Sequence, residues 1–189
     1  MSRGLLVSTS RGSGFASERT GLRTLRTLIV DDNRHMRKLL CTILYAYGIK
    51  ELYEAADGQS GIDLLREVKP DFVLTDYDMK PVNGIAFVKM VRRSCPQPLC
   101  WVPIVLITAH TEMRRIETAR DAGVTEALCK PVTPANLFSR IVEIVERPRS
   151  FVRTAEFVGP DRRRRRADAS YDGPRRRAED VGNQVEYLN

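Results

Sequence analysis

Acidic side chains stand at two places where a run of apolar residues ends. The run LIV at 28–30 leads into Asp31 and Asp32, and the run FVLT at 72–75 leads into Asp76, with Asp78 two positions later. Carboxylates that are held close together repel one another, and a hard cation such as Mg²⁺ relieves the repulsion by binding their oxygen atoms. The pattern therefore predicts a magnesium site, provided that the fold brings the two segments together.

A hydroxyl group and an ammonium group follow two later apolar runs. Thr108 ends the run at 102–108, and Lys130 comes directly after the run at 126–129. Beside a bound cation, such a lysine can hold a phosphoryl group between its ammonium group and the metal. A carboxylate in that setting is a plausible nucleophile that would form an aspartyl phosphate.

Alternating strands and helices must position these groups. Short apolar runs predict strands at 27–30, 52–55, 72–75, 102–108 and 126–129, and a helical pattern follows each of them. Thr133 and Pro134 mark the start of the last helix, as a cap and as the first helical residue. Such alternation indicates a parallel sheet that is covered on both faces, in which ligands bind beyond the carboxyl ends of the strands.

The charge of the 189-residue chain, +7 in all, is concentrated in its terminal segments. Residues 1–26 have a balance of +4, residues 27–146 of −1 and residues 147–189 of +4. We therefore expect a disordered basic leader at 1–26, a globular domain at 27–147 and an arginine-rich tail at 148–189. No apolar run is long enough for a membrane span, and no secretory signal is visible, so we expect a cytoplasmic protein without membrane insertion.

The motifs LIVDDN, VLTDYDM, VLITA and LCKP together resemble those of the response-regulator receiver domain, over residues 27–146. The resemblance implies a flavodoxin-like, doubly wound, five-stranded parallel sheet. It implies that Asp76 accepts a phosphoryl group from a sensor histidine kinase or a phosphotransfer protein, and that Mg²⁺ is required. The implied site residues are Asp31, Asp32 and Asp76 as metal ligands, Asp78 as a further ligand through its backbone carbonyl, Thr108 as a hydrogen-bond partner of the phosphoryl group, and Lys130 as its ion-pair partner, with a cis bond to Pro131.

Two positions depart from the pattern of that family. The family places a proline four residues after the phosphorylated aspartate, where this chain has Lys80 followed by Pro81. Its switch aromatic lies three residues before the lysine, where this chain has Ala127. We therefore expect the phosphorylation chemistry to be retained and the usual readout through that aromatic ring to be altered.

An enzyme is the alternative interpretation of the sequence DYD at 76–78. Phosphatases of the haloacid-dehalogenase type use a D-x-D pair, in which Asp76 would attack phosphate and Asp78 would act as the general acid. That scheme assigns no function to Asp31 and Asp32, and it places the motif at the first strand rather than at the third. We therefore favour a phosphoacceptor that is not an enzyme.

The tail contains a short internal repeat in which an aromatic residue, Gly-Pro and a run of arginines recur after fourteen residues, as FVGPDRRRRR and YDGPRRRAED. Guanidinium groups bind phosphates and the guanine edge, and nearby aromatic rings add stacking. The pattern resembles the extension of a subset of receivers that bind cyclic-di-GMP and dock on the flagellar motor switch protein. Nucleic-acid binding by the basic tail and a solvated tail that binds no ligand are the other hypotheses. The candidate ligand-binding residues are Arg162, Arg163, Arg164, Arg175, Arg176 and Arg177.

Overall fold

The computed structural model describes residues 22–109, 112–154, 157–161 and 186–188. Its central feature is a parallel sheet with the strand order β2-β1-β3-β4-β5. The fold-class prediction, a flavodoxin-like doubly wound sheet of five parallel strands, is therefore confirmed. The strands are β1 (Arg26–Val30), β2 (Glu51–Ala55), β3 (Phe72–Asp76), β4 (Ile104–Thr108) and β5 (Glu126–Cys129).

Helices cover both faces of the sheet. One core layer packs under α1 (Arg34–Ala46) and α5 (Pro134–Glu146). The other packs under α2 (Gly58–Val68), α3 (Gly84–Ser94) and α4 (Met113–Ala122). Strands β3 and β4 are buried along their whole length, which explains why their sequences are continuously apolar. Among the residues that the structure describes, no helix combines the length and apolarity that a membrane span needs.

Side-chain caps determine where two of the helices begin. The side chain of Asn33 accepts hydrogen bonds from the backbone N–H groups of His35 and Met36, so α1 begins directly after the Asp31-Asp32 pair. Thr133 caps α5 as predicted, and its partner in a reciprocal capping box is Asn136. Both caps satisfy backbone donors that have no partner inside the helix.

Two sequence-based boundaries differ from the structure. Strand β1 begins at Arg26, inside the expected leader, and Leu22 is buried in the core, so the globular fold starts earlier than residue 27. Strand β4 begins at Ile104 rather than at 102, because Pro103 has no N–H group to donate to a sheet.

The expected tail at 148–189 is ordered over its described residues. Strands β6 (Phe151–Arg153), β7 (Val158–Pro160) and β8 (Glu186–Leu188) form a small antiparallel sheet in the order β7-β6-β8. We call the described residues 148–154 and 157–161 the C-terminal extension. Disorder beginning at residue 148 was wrong for this extension, because it buries Phe151 against the domain that precedes it.

Arg92 on α3 joins the C-terminal extension to the parallel-sheet domain. Its Nε donates to the carbonyl of Gly123 at 3.0 Å, and its Nη1 donates to those of Cys100 and Val102, each at 2.8 Å. The guanidinium carbon lies 5.1 Å from the ring centroid of Phe151. Burial lowers the pKa of Arg92 to about 9. The three carbonyls and the aromatic face therefore offset part of the cost of burying a cation.

A buried carboxylate provides a second attachment of the extension. Glu126 at the start of β5 lies 3.4 Å from the guanidinium of Arg140 and 3.9 Å from that of Arg149. Arg149 also donates to the carbonyl of Thr125 at 3.2 Å and to that of Asp161. The extension is thus attached at the amino ends of β4 and β5, the opposite end of the sheet from the predicted site.

Candidate functional site

The carboxyl ends of the strands bring the predicted site residues together. Asp31 follows β1, Asp76 is the last residue of β3, Thr108 is the last residue of β4, and Lys130 follows β5. Because β1, β3, β4 and β5 are adjacent and parallel, these ends meet at one edge of the sheet. The side chains of Asp31, Asp76 and Thr108 are almost entirely buried there.

Asp76 is held by contacts to both of its carboxylate oxygens. Its Oδ1 lies 2.6 Å from Nζ of Lys130, a short ion pair. Its Oδ2 accepts a hydrogen bond of 3.1 Å from the backbone N–H of Asp78. The peptide bond between Lys130 and Pro131 is cis, as expected. The carboxylate is therefore oriented, with a cation already beside the oxygen that faces β5.

Asp31, Asp32 and Asp76 form a cluster with the donor set of a magnesium site. One carboxylate oxygen of each lies within 4.8 Å of one from each of the others. Oδ1 of Asp31 accepts a hydrogen bond of 2.7 Å from the N–H of Asn33, whereas its Oδ2 is buried and has no hydrogen-bond partner. A buried carboxylate oxygen without a partner costs free energy, which a hard cation would recover. The residues present therefore fit Mg²⁺.

The electrostatics of Asp31 agree with this fit. The pKa of Asp31 rises from 3.8 to about 6, mainly because the carboxyl group is buried. The hydrogen bond from Asn33 acts against this rise in pKa, and the nearby charge of Asp76 adds to it. Ionisation of Asp31 at neutral pH therefore raises the free energy of the folded protein, and a bound divalent cation would offset this increase.

Glycine at position 84 lets α3 begin directly against the end of β3. Its N–H donates to the carbonyl of Tyr77 at 2.9 Å, and a methyl group on Gly84 would overlap the carbonyl oxygen of Asp76. Lys80 and Pro81, which depart from the family pattern, lie in the connecting loop and are joined by a cis bond. The close approach at Gly84 fixes the backbone that carries the candidate acceptor.

Two predicted contributions stay predictions. Asp78 contributes its backbone N–H to the site, while the metal contact expected of its backbone carbonyl is untested. Thr108 is buried at the same edge of the sheet as Asp76, and it lies opposite Cys129 of β5. The contact of Thr108 with a phosphoryl group is likewise untested. The tail arginines at 162–164 and 175–177 lie outside the described residues.

Sequence reasoning missed a ring contact beside the acceptor. The guanidinium carbon of Arg115, in the first turn of α4, lies 5.3 Å from the ring centroid of Tyr77. Tyr77 directly follows Asp76, whereas Ala127, at the position of the family's switch aromatic, is half-buried beside Leu106. No local signal marks such a pair, because its two members are far apart in sequence and only the fold brings them together.

Comparison with known proteins identifies the family. The model of the response regulator receiver domain matches residues 27–142. Chemotaxis protein CheY-3 of Vibrio cholerae is 34% identical over 125 residues, which cover 66% of this chain and 95% of that protein. Chemotaxis protein CheY of Pseudomonas aeruginosa is 32% identical over 123 residues, 65% of this chain and 98% of that protein.

Solved structures agree with this result. CheY4 of Vibrio cholerae superposes with a TM-score of 0.59 at 27% identity, covering 64% of this chain and 98% of that one. A putative response regulator from Chloroflexus aurantiacus superposes with a TM-score of 0.60 at 28% identity, covering 65% of this chain and 98% of that one. With the acidic cluster, the oriented aspartate and the lysine in place, the chain belongs to the response-regulator receiver family and is of the chemotaxis type.

Proposed function

We propose that this protein is a two-component response regulator in which Asp76 accepts a phosphoryl group, with Mg²⁺ required, from a sensor histidine kinase or a phosphotransfer protein. The observation that supports the proposal most directly is the position of the Asp76 carboxylate, between the Lys130 ammonium group at 2.6 Å and the carboxylates of Asp31 and Asp32. We place the protein in the cytoplasm. We regard it as a phosphoacceptor with at most autodephosphorylation activity.

In the proposed reaction, a carboxylate oxygen of Asp76 attacks phosphorus on a phosphohistidine of the donor. The phosphorus–oxygen bond forms as the phosphorus–nitrogen bond breaks, and the imidazole nitrogen keeps the electron pair and takes up a proton. Asp31, Asp32 and Asp76 would hold Mg²⁺, which supplies positive charge for the phosphoryl oxygens when it is bound. Lys130 is already positioned to neutralise a phosphoryl oxygen, and little beyond positioning and charge is needed for phosphoryl transfer.

Labelling with a small phosphodonor tests this proposal. We expect acetyl phosphate with Mg²⁺ to label the natural chain up to one phosphoryl group per molecule, and Asp76→Asn to remove the label completely, because the amide is a poor nucleophile. Intact-protein mass spectrometry measures the label. The matched control is Asp63→Asn, an exposed aspartate on α2, which should be labelled like the natural chain.

An assay of the same protein samples with an aryl phosphate distinguishes the phosphoacceptor proposal from the phosphatase alternative. Steady release of phosphate from an aryl phosphate, lost in both Asp76→Asn and Asp78→Asn, would contradict the proposal and favour a haloacid-dehalogenase-type enzyme. A label that persists unchanged in Asp76→Asn would also contradict it, because another residue would then be the acceptor.

For output, we propose that the arginine-rich segment binds cyclic-di-GMP and that the protein then contacts a flagellar motor switch protein. The support is the repeated Gly-Pro-arginine pattern in the sequence and the chemotaxis type of the relatives. Six arginines at 162–164 and 175–177 offer paired donors for two phosphates and two guanines.

Calorimetry tests this ligand. We expect saturable binding of cyclic-di-GMP at near-physiological salt, lost when all six arginines are replaced by glutamine. Replacement of six exposed basic residues of the folded domain by glutamine serves as the control for net charge. These residues are Lys38, Lys50, Arg66, Lys69, Lys89 and Arg93. An absence of affinity for cyclic-di-GMP, together with salt-sensitive binding to any oligonucleotide, would contradict the proposal and favour the nucleic-acid hypothesis.

A further inference from the structure

Helix α4 touches the acceptor segment at its amino end. Arg115 lies over the ring of Tyr77 at 5.3 Å and forms an ion pair of 3.7 Å with Glu112. The backbone of Tyr77 is fixed, because its N–H donates to the carbonyl of Ile107 at 2.8 Å and its carbonyl accepts from Gly84 at 2.9 Å. The ring therefore extends from a rigid point next to Asp76, and Arg115 connects that point to α4.

The carboxyl end of the same helix touches the C-terminal extension. Gly123, which ends α4 in the left-handed conformation with φ 95°, would place a methyl group 2.7 Å from the carbonyl oxygen of Val158. A methyl group on Gly159 would likewise lie 2.9 Å from the Cα of Gly123. Arg92 binds the carbonyl of Gly123 and also lies over Phe151 of the extension. A displacement of the carboxyl end of α4 would therefore change its contacts with the extension directly.

The body of α4 is weakly held to the sheet. Its buried residues are Ala119 and Ala122, so the helix buries little apolar area. A helix with so few buried apolar groups shifts at low free-energy cost compared with α3, which buries Phe87, Val88 and Val91.

We infer that Arg115 is a positioning residue that couples occupancy of Asp76 to the C-terminal extension through helix α4. The inference rests on the proposed function, because it requires that Asp76 be phosphorylated. A phosphoryl group adds negative charge beside Tyr77, and the guanidinium group that lies against that residue responds to the added charge. Coupling between two sites is reciprocal, so a ligand that binds the C-terminal extension would in turn favour the phosphorylated form.

The chain contains its own reporters for this coupling. Trp101 is the single tryptophan and lines a cavity of about 240 Å³ together with Arg149 and Phe151 of the extension. Met79 is buried in the loop after Asp76, and Met113 is the exposed first residue of α4. Tryptophan emission thus reports on the extension, and methyl resonances of labelled methionine report on the acceptor loop and on α4.

The experiment adds beryllofluoride and Mg²⁺, as a stable substitute for the phosphoryl group, to the full-length chain. In the natural chain we expect shifts of the Met79 and Met113 methyl resonances and a change in Trp101 emission. In Arg115→Gln we expect the Met79 shift to be retained and the Met113 and Trp101 responses to be lost. Tyr77→Leu, which keeps an apolar side chain without an aromatic face, should behave in the same way, and the double variant should lose no more.

The controls separate the coupling from the proposed function. Arg114→Gln removes an exposed arginine of the same helix and should respond like the natural chain. A Trp101 response that is unchanged in Arg115→Gln, or absent from the natural chain while Met79 shifts, would overturn the coupling and leave the phosphoacceptor proposal standing. A natural chain in which Met79 itself does not respond would overturn both. Loss of the Trp101 response in Arg114→Gln would also overturn the inference, because it would show that the charge of α4, and not the contact of Arg115 with the Tyr77 ring, causes the response.

Discussion

We expect the Asp31→Asn variant to be more stable than the natural chain at pH 7 without divalent cations, yet unable to accept a phosphoryl group. The carboxylate of Asp31 is buried beside two other acids, and one of its oxygens has no hydrogen-bond partner. An uncharged amide removes the repulsion and much of the cost of burying a charge. It also removes a ligand that the metal requires, so gain of stability and loss of function should occur together.

The dependence on pH follows from the direction of the pKa shift. The pKa of Asp31 rises from 3.8 to about 6 in the folded protein. The folded protein therefore retains a proton that the unfolded chain releases, and stability falls as pH rises from about 4 through 6. A rise of this size corresponds to a cost of about 3 kcal/mol at pH 7, of which we expect Asp31→Asn to recover about 1–3 kcal/mol.

Urea denaturation in EDTA at a series of pH values measures this difference. We expect Asp31→Asn and the natural chain to be equally stable near pH 4 and to diverge toward pH 7, and we expect Mg²⁺ to stabilise only the natural chain. Asp63→Asn, which changes an exposed aspartate on α2 and leaves the metal site intact, should match the natural chain at every pH and be stabilised by Mg²⁺ to the same extent. A difference between the variant and the natural chain that is the same at every pH would show that ionisation of Asp31 is not its cause.

The second large effect concerns a residue outside the family's domain. We expect Phe151→Ala to lower the free energy of unfolding by about 3 kcal/mol, a typical cost of removing a buried phenylalanine side chain. The ring is 8% exposed, and the guanidinium of Arg92 lies over it at 5.1 Å. Its removal leaves a void and deprives a buried cation of an aromatic partner.

Thermal and urea unfolding of the full-length chain measures this cost. Tyr45→Ala removes an aromatic ring of similar size from a surface position that is 63% exposed, and it should change stability by less than about 0.5 kcal/mol. If Phe151→Ala had no larger effect than Tyr45→Ala, the C-terminal extension would not be part of the cooperative fold. A disordered tail beginning at residue 148 predicts that result.

The fold and the residues of the acceptor site could be predicted from the sequence, because each depends on a short local pattern that recurs along the chain. Each strand is a short apolar run, and Asp31, Asp76, Thr108 and Lys130 each stand at or just after the end of a different run. Parallel strands necessarily bring such ends to one edge, so the convergence follows from topology alone. The cap at Thr133 was predictable for the same reason, since Pro134 follows it directly.

The parallel sheet and the residues of the acidic pocket thus follow from local sequence patterns. The burial of Asp31, the contact of Arg115 with Tyr77 and the attachment of the C-terminal extension by Arg92 appear only in the folded chain. They depend on residues that are far apart along the chain. A local sequence pattern indicates how one segment folds. A cation–π contact or a buried guanidinium group also depends on residues from other segments, which the local pattern does not include. The polar sequence of the extension predicts a disordered tail. The extension is ordered because Phe151 and Arg149 contact Arg92 and the carbonyl of Thr125, which belong to the parallel-sheet domain.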